Sequence, residues 1–294
     1  MSPTTNRGTG LFLSAIACMA LATGSARAVL LVLDFNDLNV AGINGQGGGT
    51  GFSGTYTGSA NSAIIASNLT SSLYNMPQSG NARAFRGANT NGLRQSFRTV
   101  TTSPVGEVWF SFLVETSTSA SGASYETAGI SLNSPSTATP FDNTGNVYAY
   151  MTGNDLYYSF GAGTAASVNI TPRPADTAVD TLTLIVGQFI IGGSGAADTV
   201  NLWANPNLTA NPDIFSYSTV YSSSAVNFLD SITTLGLVGH QVGTLGGGVI
   251  DNVRFSDGGG NAAQAFFDVT GVPEPSGLAL ALLGAGGFLA RRRR

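Results

Sequence analysis

Apolar and polar positions along this chain fall into short runs, each closed by Gly, Asn, Pro or Ser, and almost nothing shows the spacing of an amphipathic helix. Residues 29–35 form the first run, closed by Asn36-Asp37. The Gly-rich connection 42–54 reads as a flexible loop outside the core. Residues 63–66 and 82–85 are weak short strands. Stretch 92–100 alternates, with Leu93, Gln95, Phe97 and Thr99 on one side and Arg94, Ser96 and Arg98 on the other. Stretch 107–116 alternates more strongly: Val108, Phe110, Phe112 and Val114 point one way, Trp109, Ser111 and Leu113 the other.

The pattern continues through 128–132, 146–151, 155–160 and 166–170, separated by clusters of turn residues. The longest apolar run, 180–191, predicts a central strand covered on both faces. A Gly-rich turn at 192–195 joins it to 199–204 as a hairpin. Residues 214–221, 232–239, 249–255 and 265–269 complete the predicted strands. So many strands in one unit, without a break in composition, predict an all-β fold of two antiparallel sheets packed face to face.

Composition narrows the chemistry. The chain has no lysine, and its one cysteine, Cys18, lies in the first apolar run. Over 29–270, six arginines stand against fifteen carboxylates, a balance of −9. An acidic, lysine-free body is a poor partner for nucleic acid, which is held by concentrated positive charge. Without cysteine after residue 18, disulfides, thiol catalysis and thiolate-bound metals are excluded from the body.

The two ends differ from the body. Arg7, the apolar run 11–23 and the small-x-small triplet Ala26-Arg27-Ala28 have the form of a secretory signal cut after Ala28 by the general secretory machinery; an uncleaved first helix is the alternative. At the other end, Pro273 and Pro275 bracket Glu274, 276–290 carries no charged side chain, and Arg291, Arg292, Arg293 and Arg294 close the chain. The prolines hold the backbone extended, and the arginines would stay on the cytoplasmic side of a bilayer. This order resembles the bacterial PEP-CTERM sorting signal. The resemblance implies that Pro273, Glu274 and Pro275 are a processing motif for an exosortase-type membrane enzyme in a Gram-negative, exopolysaccharide-forming cell. The protein would then cross the inner membrane, rest there transiently, and end at the cell surface or outside. A plain tail anchor is the alternative, but the fourteen residues 277–290 reach only ~21 Å as a helix, short of the ~30 Å hydrocarbon core. The expected division is a signal at 1–28, a β-sandwich at 29–270 and a sorting signal at 271–294, with a signal helix and a transmembrane-like helix flanking the sandwich.

The body also resembles concanavalin A-like, laminin-G-like jelly rolls. The residues that carry this are Asp34-Phe35, Trp109-Phe110-Ser111-Phe112, the hairpin 184–187 to 200–203, and Ile250-Asp251-Asn252-Val253-Arg254-Phe255. The last is similar to the Asp-Glu-x-Arg-Ile strand of such domains, with Asn252 in place of the acid.

Little in the body suggests catalysis. Glu107, Glu115 and Glu126 lack a carboxylate two residues away, as a Glu-x-Asp-x-Glu hydrolase strand would need. Asp34 and Asp37 suit a turn. His240 is the only histidine, and there is no Gly-x-Ser-x-Gly to pair with it. Calcium, which takes oxygen ligands, is the one cofactor left open, with Asp198, Asp251, Asn252 and Asp257 as candidate ligands or, equally, as turn residues. Arg83, Arg86, Arg94 and Arg98 read mostly as exposed charges. Tyr56, Trp109, Tyr148, Tyr157, Trp203 and Tyr217 are either packing residues or stacking platforms for sugar rings.

The sequence thus predicts a non-enzymatic exported protein with a structural or adhesive role in exopolysaccharide or biofilm. The alternative is a lectin-like carbohydrate-binding module, calcium-dependent or not. Intact-mass measurement of the protein from cells and medium is expected to show loss of residues 1–28 and of a piece starting near Pro273. A mature form that still ends at Arg294 leaves only the tail anchor.

Overall fold

A computed structural model describes residues 28–33, 35–39, 41–58, 63–65, 69–78, 82–84, 92–115, 127–133, 144–152, 155–162, 166–170, 182–193, 196–219, 221–226, 231–241 and 248–272. Ala26, the Pro273-Glu274-Pro275 motif, the apolar segment after it and Arg291 to Arg294 lie outside the described residues. Among the described residues no helix is long and apolar enough to cross a membrane.

In chain order the strands are β1 (Leu30–Leu33), β2 (Phe52–Gly58), β3 (Ala63–Ile65), β4 (Ala82–Ala84), β5 (Gly92–Val100), β6 (Glu107–Glu115), β7 (Thr127–Leu132) and β8 (Thr144–Thr152). They continue as β9 (Asp155–Ala162), β10 (Ala166–Ile170), β11 (Thr183–Ile190), β12 (Asp198–Ala204), β13 (Tyr221–Val226), β14 (Thr234–Gln241) and β15 (Val249–Ser256). Among the described residues one α-helix, α1 (Ala262–Thr270), follows them. The strands form two antiparallel sheets. The back sheet runs β13-β12-β11-β6-β15-β4-β3, with β1 also pairing β15; the front sheet runs β10-β9-β8-β7-β14-β5-β2. This is the predicted two-sheet jelly-roll sandwich.

The core between the sheets follows from the alternation. Val108, Phe110, Phe112 and Val114 of β6 point inward with Ile185 and Phe189 of β11, and with Ile250, Val253 and Phe255 of β15. Ala128, Ile130 and Leu132 of β7 and Leu235 and Leu237 of β14 meet them from the front sheet. Phe110 is the hub, stacked at 4.9 Å on Phe189 and 5.2 Å on Phe255. Gly187, beside it on β11, is glycine because a Cβ there would collide with the Phe110 ring. As predicted, β11 is covered on both faces, with residues 183–189 all buried.

The outer face of the back sheet is covered too. Trp109, Leu113, Leu184, Val186 and Trp203 lie under α1, segment 69–78 and loop 205–219, packed with Phe266, Val269, Tyr74, Leu208 and Ile214. Trp109 and Trp203 stack at 5.7 Å, and Phe266 meets Trp109 edge-on at 5.0 Å. On the same face Glu107 accepts from Trp109 Nε1 and Gln188 Nε2, Gln188 accepts from Asn201, and Asn201 accepts from the Ser222 hydroxyl. This hydrogen-bonded ladder crosses β6, β11, β12 and β13.

Three expectations need correcting. Residues 265–269 are helical, inside α1, where a strand is predicted. Asn261 caps the first turn by accepting from Ala263 and Gln264, and Gly271 in the left-handed region ends it. Residues 214–216 form a 3-10 turn capped by Asp213, and the strand there starts only at Tyr221. The Gly-rich stretch predicted as a loose loop contains a strand, β2, and core residue Ile43. It is tied down by Arg98, which is buried, donates to the carbonyls of Gly48 and Gly54, and lies over the Phe52 and Tyr56 rings.

A bulge in β15 lets Asp251 pair with Leu113 and Arg254 with Ser111, so both polar residues lie on the outer face while Ile250 and Val253 stay in the core. Tyr74 packs beside them, with its hydroxyl buried and unpartnered. Burial pushes that hydroxyl above its ordinary range; Arg254 pulls it down and Asp251 adds to the rise. The fold therefore favours the neutral phenol, a contribution present below the unfolded value of about 10 and lost as pH rises beyond it. Tyr74→Phe is expected to hold or raise stability by up to about 1 kcal/mol at neutral pH, and to raise the pH midpoint of alkaline unfolding followed by circular dichroism.

Candidate functional site

With the outer face of the back sheet closed, the aromatic candidates separate. Trp109, Trp203 and Tyr56 are buried. Tyr217 donates its hydroxyl to the carbonyls of Asn207 and Asn211, and its own carbonyl accepts from Trp203 Nε1, so it serves the loop. Tyr148 and Tyr157 remain, on adjacent front-sheet strands.

Register places them. Ala128, Ile130 and Leu132 of β7 face the core, so Thr127, Gly129 and Ser131 take the opposite face. Pairing carries that face across the sheet. One row runs Asn169, Tyr157, Tyr150, Gly129, Val238, Gln95 from β10 to β5. The next runs Ser167, Ser159, Tyr148, Ser131, Gly236, Phe97. A third holds Asp155, Thr152, Thr127 and His240. The middle strands thus carry small residues, with Ser131 and Val238 buried, and β8 and β9 carry three tyrosine positions beside them. The rows are otherwise mostly Ser, Thr, Asn and Gln. Tyr150 is not among the sequence candidates; its signal is the Tyr148-x-Tyr150 alternation, which becomes meaningful only once Tyr157 is placed opposite.

The four calcium candidates occupy three separate places. Asp198, buried at the start of β12, accepts from Gly192 N at 2.7 Å and closes the β11–β12 hairpin. Asp251 accepts from Leu69 N at 3.0 Å and Asn252 N at 2.7 Å. Asn252 sits in the bulge at φ 51°, a conformation asparagine tolerates better than most residues, and its side-chain amide is buried without a hydrogen-bond partner. Asp257, just past β15, accepts from the backbone N–H of Val29, Gly259 and Val105. Six residues of strand, roughly 20 Å, separate Asp251 from Asp257. Among the described residues no group of three or more His, Cys, Asp or Glu is arranged to hold a metal ion. Asp37 behaves as the turn residue expected of it, accepting from Gly49 N.

No protein-family model matches the chain, and no curated protein matches it. Solved structures similar to it include the exoplasmic/lumenal domain of VIP36 in a Ca2+/Man-bound form, at 8% identity over 67% of this chain and 83% of that one, TM-score 0.42. Peanut lectin with a 9mer peptide is similar at 10% identity over 79% and 97%, TM-score 0.41. Alginate lyase vAL-1 from Chlorella virus is similar at 6% identity over 70% and 93%, TM-score 0.41.

Because these carboxylates already serve backbone donors in separate places, the melting temperature of the purified full chain is expected to agree within about 1 °C between millimolar calcium and chelator. A rise of several degrees with calcium would show a site that these contacts do not reveal.

Proposed function

We propose that this protein is an exported, non-catalytic carbohydrate-binding sandwich that holds a polysaccharide chain on the β8–β9 side of its front sheet. The observation that carries this reading is the row in which Tyr150 and Tyr157 pair across β8 and β9, between Gly129 and Asn169. Flat aromatic faces suit the C–H faces of pyranose rings, and the surrounding Ser, Asn and Gln positions supply donors and acceptors for hydroxyls. The balance of −9 over 29–270 disfavours anionic polymers, so the ligand class is a neutral glycan.

Export by the general secretory route, cleavage after Ala28, and sorting through Pro273-Glu274-Pro275 by an exosortase-type enzyme complete the proposal. They rest on the resemblance of the two ends. Delivery to the exopolysaccharide layer would place the front face among its ligands.

A glycan array, with and without chelator, tests the binding reading. Tyr150→Ala and Tyr157→Ala are each expected to weaken binding to the best neutral glycan about tenfold, ~1.4 kcal/mol. Phe215→Ala, at the exposed aromatic over the tryptophan pair of the back sheet, is expected to leave binding unchanged. Absence of binding to every glycan in both conditions would return the protein to a purely structural role.

A further inference from the structure

The structure assigns Asp257 as a seat for the α-ammonium group of a chain that begins at Val29. Val29 N donates to Asp257 Oδ1 at 2.8 Å, and Val29 O accepts from Asp257 N at 3.2 Å, so residue 29 is bonded to residue 257 in both directions. The carboxylate is 4% exposed. Its other partners are the backbone N–H groups of Gly259 and Val105. All three donors are neutral amides in the uncut chain, so among the described residues this buried carboxylate has no cationic partner. A buried charge in that condition is costly, and a hydrogen-bonded opposite charge offsets much of the cost.

Cleavage after Ala28, on which this inference rests, changes the donor. Water adds across the Ala28–Val29 amide, the leader departs with the new carboxylate, and Val29 keeps its nitrogen as –NH3+. The donor already in place at Asp257 becomes the missing cation. Ala28 makes no hydrogen bond among the described residues, and with Val29 it borders a cavity of about 560 Å³ beside Thr50 and Thr101. Downstream, Leu30 to Leu33 continue straight into the pairing of β1 with β15. Removal of the leader would thereby tighten the strand that closes one edge of the back sheet, and an uncut chain would be held more loosely.

The composition supplies a clean probe. The chain has no lysine, so after cleavage the Val29 α-amine is its only aliphatic amine. The chain from Val29 to Arg294 is prepared in detergent behind a lysine-free leader ending in a protease site directly before Val29, and compared before and after the cut. The cut is expected to raise the melting temperature by roughly 5–10 °C, and Asp257→Asn to abolish that gain. Acylation of the cut chain by an N-hydroxysuccinimide ester at neutral pH is expected to be at least tenfold slower than for the same chain in denaturant. A melting temperature unmoved by the cut, or equal acylation rates folded and unfolded, would overturn the assignment; the wild-type comparison stands even if Asp257→Asn fails to fold. N-terminal sequencing of the protein from cells tests the cleavage reading separately, since a start other than Val29 would refute that reading and leave the in vitro result to judge the seat.

Discussion

Strand β6 must be dry on both faces, and the rest of the molecule is arranged to meet that demand. Its alternation sends Val108, Phe110, Phe112 and Val114 to one side and Trp109, Ser111 and Leu113 to the other, and its residues 108–114 are all buried. The first set needs an opposing sheet, which β7 and β14 supply. The second needs a lid, supplied by α1 and the segments around residues 69–78 and 205–219. Even Ser111 is accommodated, by donating its hydroxyl to the carbonyl of Val269 in the helix. An unmet polar group at that depth would cost on the order of 1–3 kcal/mol. Its partners inherit the same condition: β11 pairs with β6 along its whole length and is buried almost throughout.

That constraint commits the outer face of the back sheet. A sandwich has two outer faces, and here the back one is spent on covering Trp109 and Trp203. The front sheet carries no comparable run of large apolar residues on its outer face at β7 and β14, where Gly129, Ser131 and Gly236 stand instead. The aromatic positions lie on β8 and β9, beside this strip of small residues. Gly129, Ser131, Gly236 and Val238 are themselves buried, so the proposed glycan site rests on the β8 and β9 side of this face.

The sequence showed the fold where the alternation was long. β6 and β11 are visible because each has more than a turn's worth of apolar residues in strict order, and β5, β10 and β12 because turn residues frame them. It hid three elements for separate reasons. In α1 the apolar positions Ala265, Phe266 and Val269 crowd into five residues, too few to separate helical from strand spacing, and the signals that decide are the cap at Asn261 and the stop at Gly271. β2 reads Phe-Ser-Gly-Thr-Tyr-Thr-Gly, which has turn composition; its pairing with β5, and Arg98 reaching across to the carbonyls of Gly48 and Gly54, make it a strand in context. Residues 214–216 are apolar enough for a strand, but Asp213 captures Phe215 N and turns the chain. The candidate face was legible in its letters but not in its assembly. Tyr148 and Tyr157 could be named from the sequence, whereas the pairing of Tyr150 with Tyr157 is a fact of register between strands.

Carboxylates in this protein serve as acceptors for backbone N–H groups in and beside its turns. Asp37, Asp198, Asp251 and Asp257 each accept from backbone N–H groups, of Gly49, Gly192, Leu69 and Val29 among others. A Gly-rich chain has many such donors in its turns without sheet partners, and an ionised acceptor satisfies them more strongly than a neutral one. Such a scheme suits a chain that has no lysine and few arginines. It also has a cost, since a carboxylate taken out of water must be matched by donors or an opposite charge. Asp251 lies on the same face as Arg254, next to Tyr74, and Asp37 stands in an exposed turn. Asp257 is set apart by one donor, the nitrogen of Val29, at which a chain cut after Ala28 would begin. The same economy of charge that makes the body a poor partner for polyanions would then make that residue the natural place for a compensating cation.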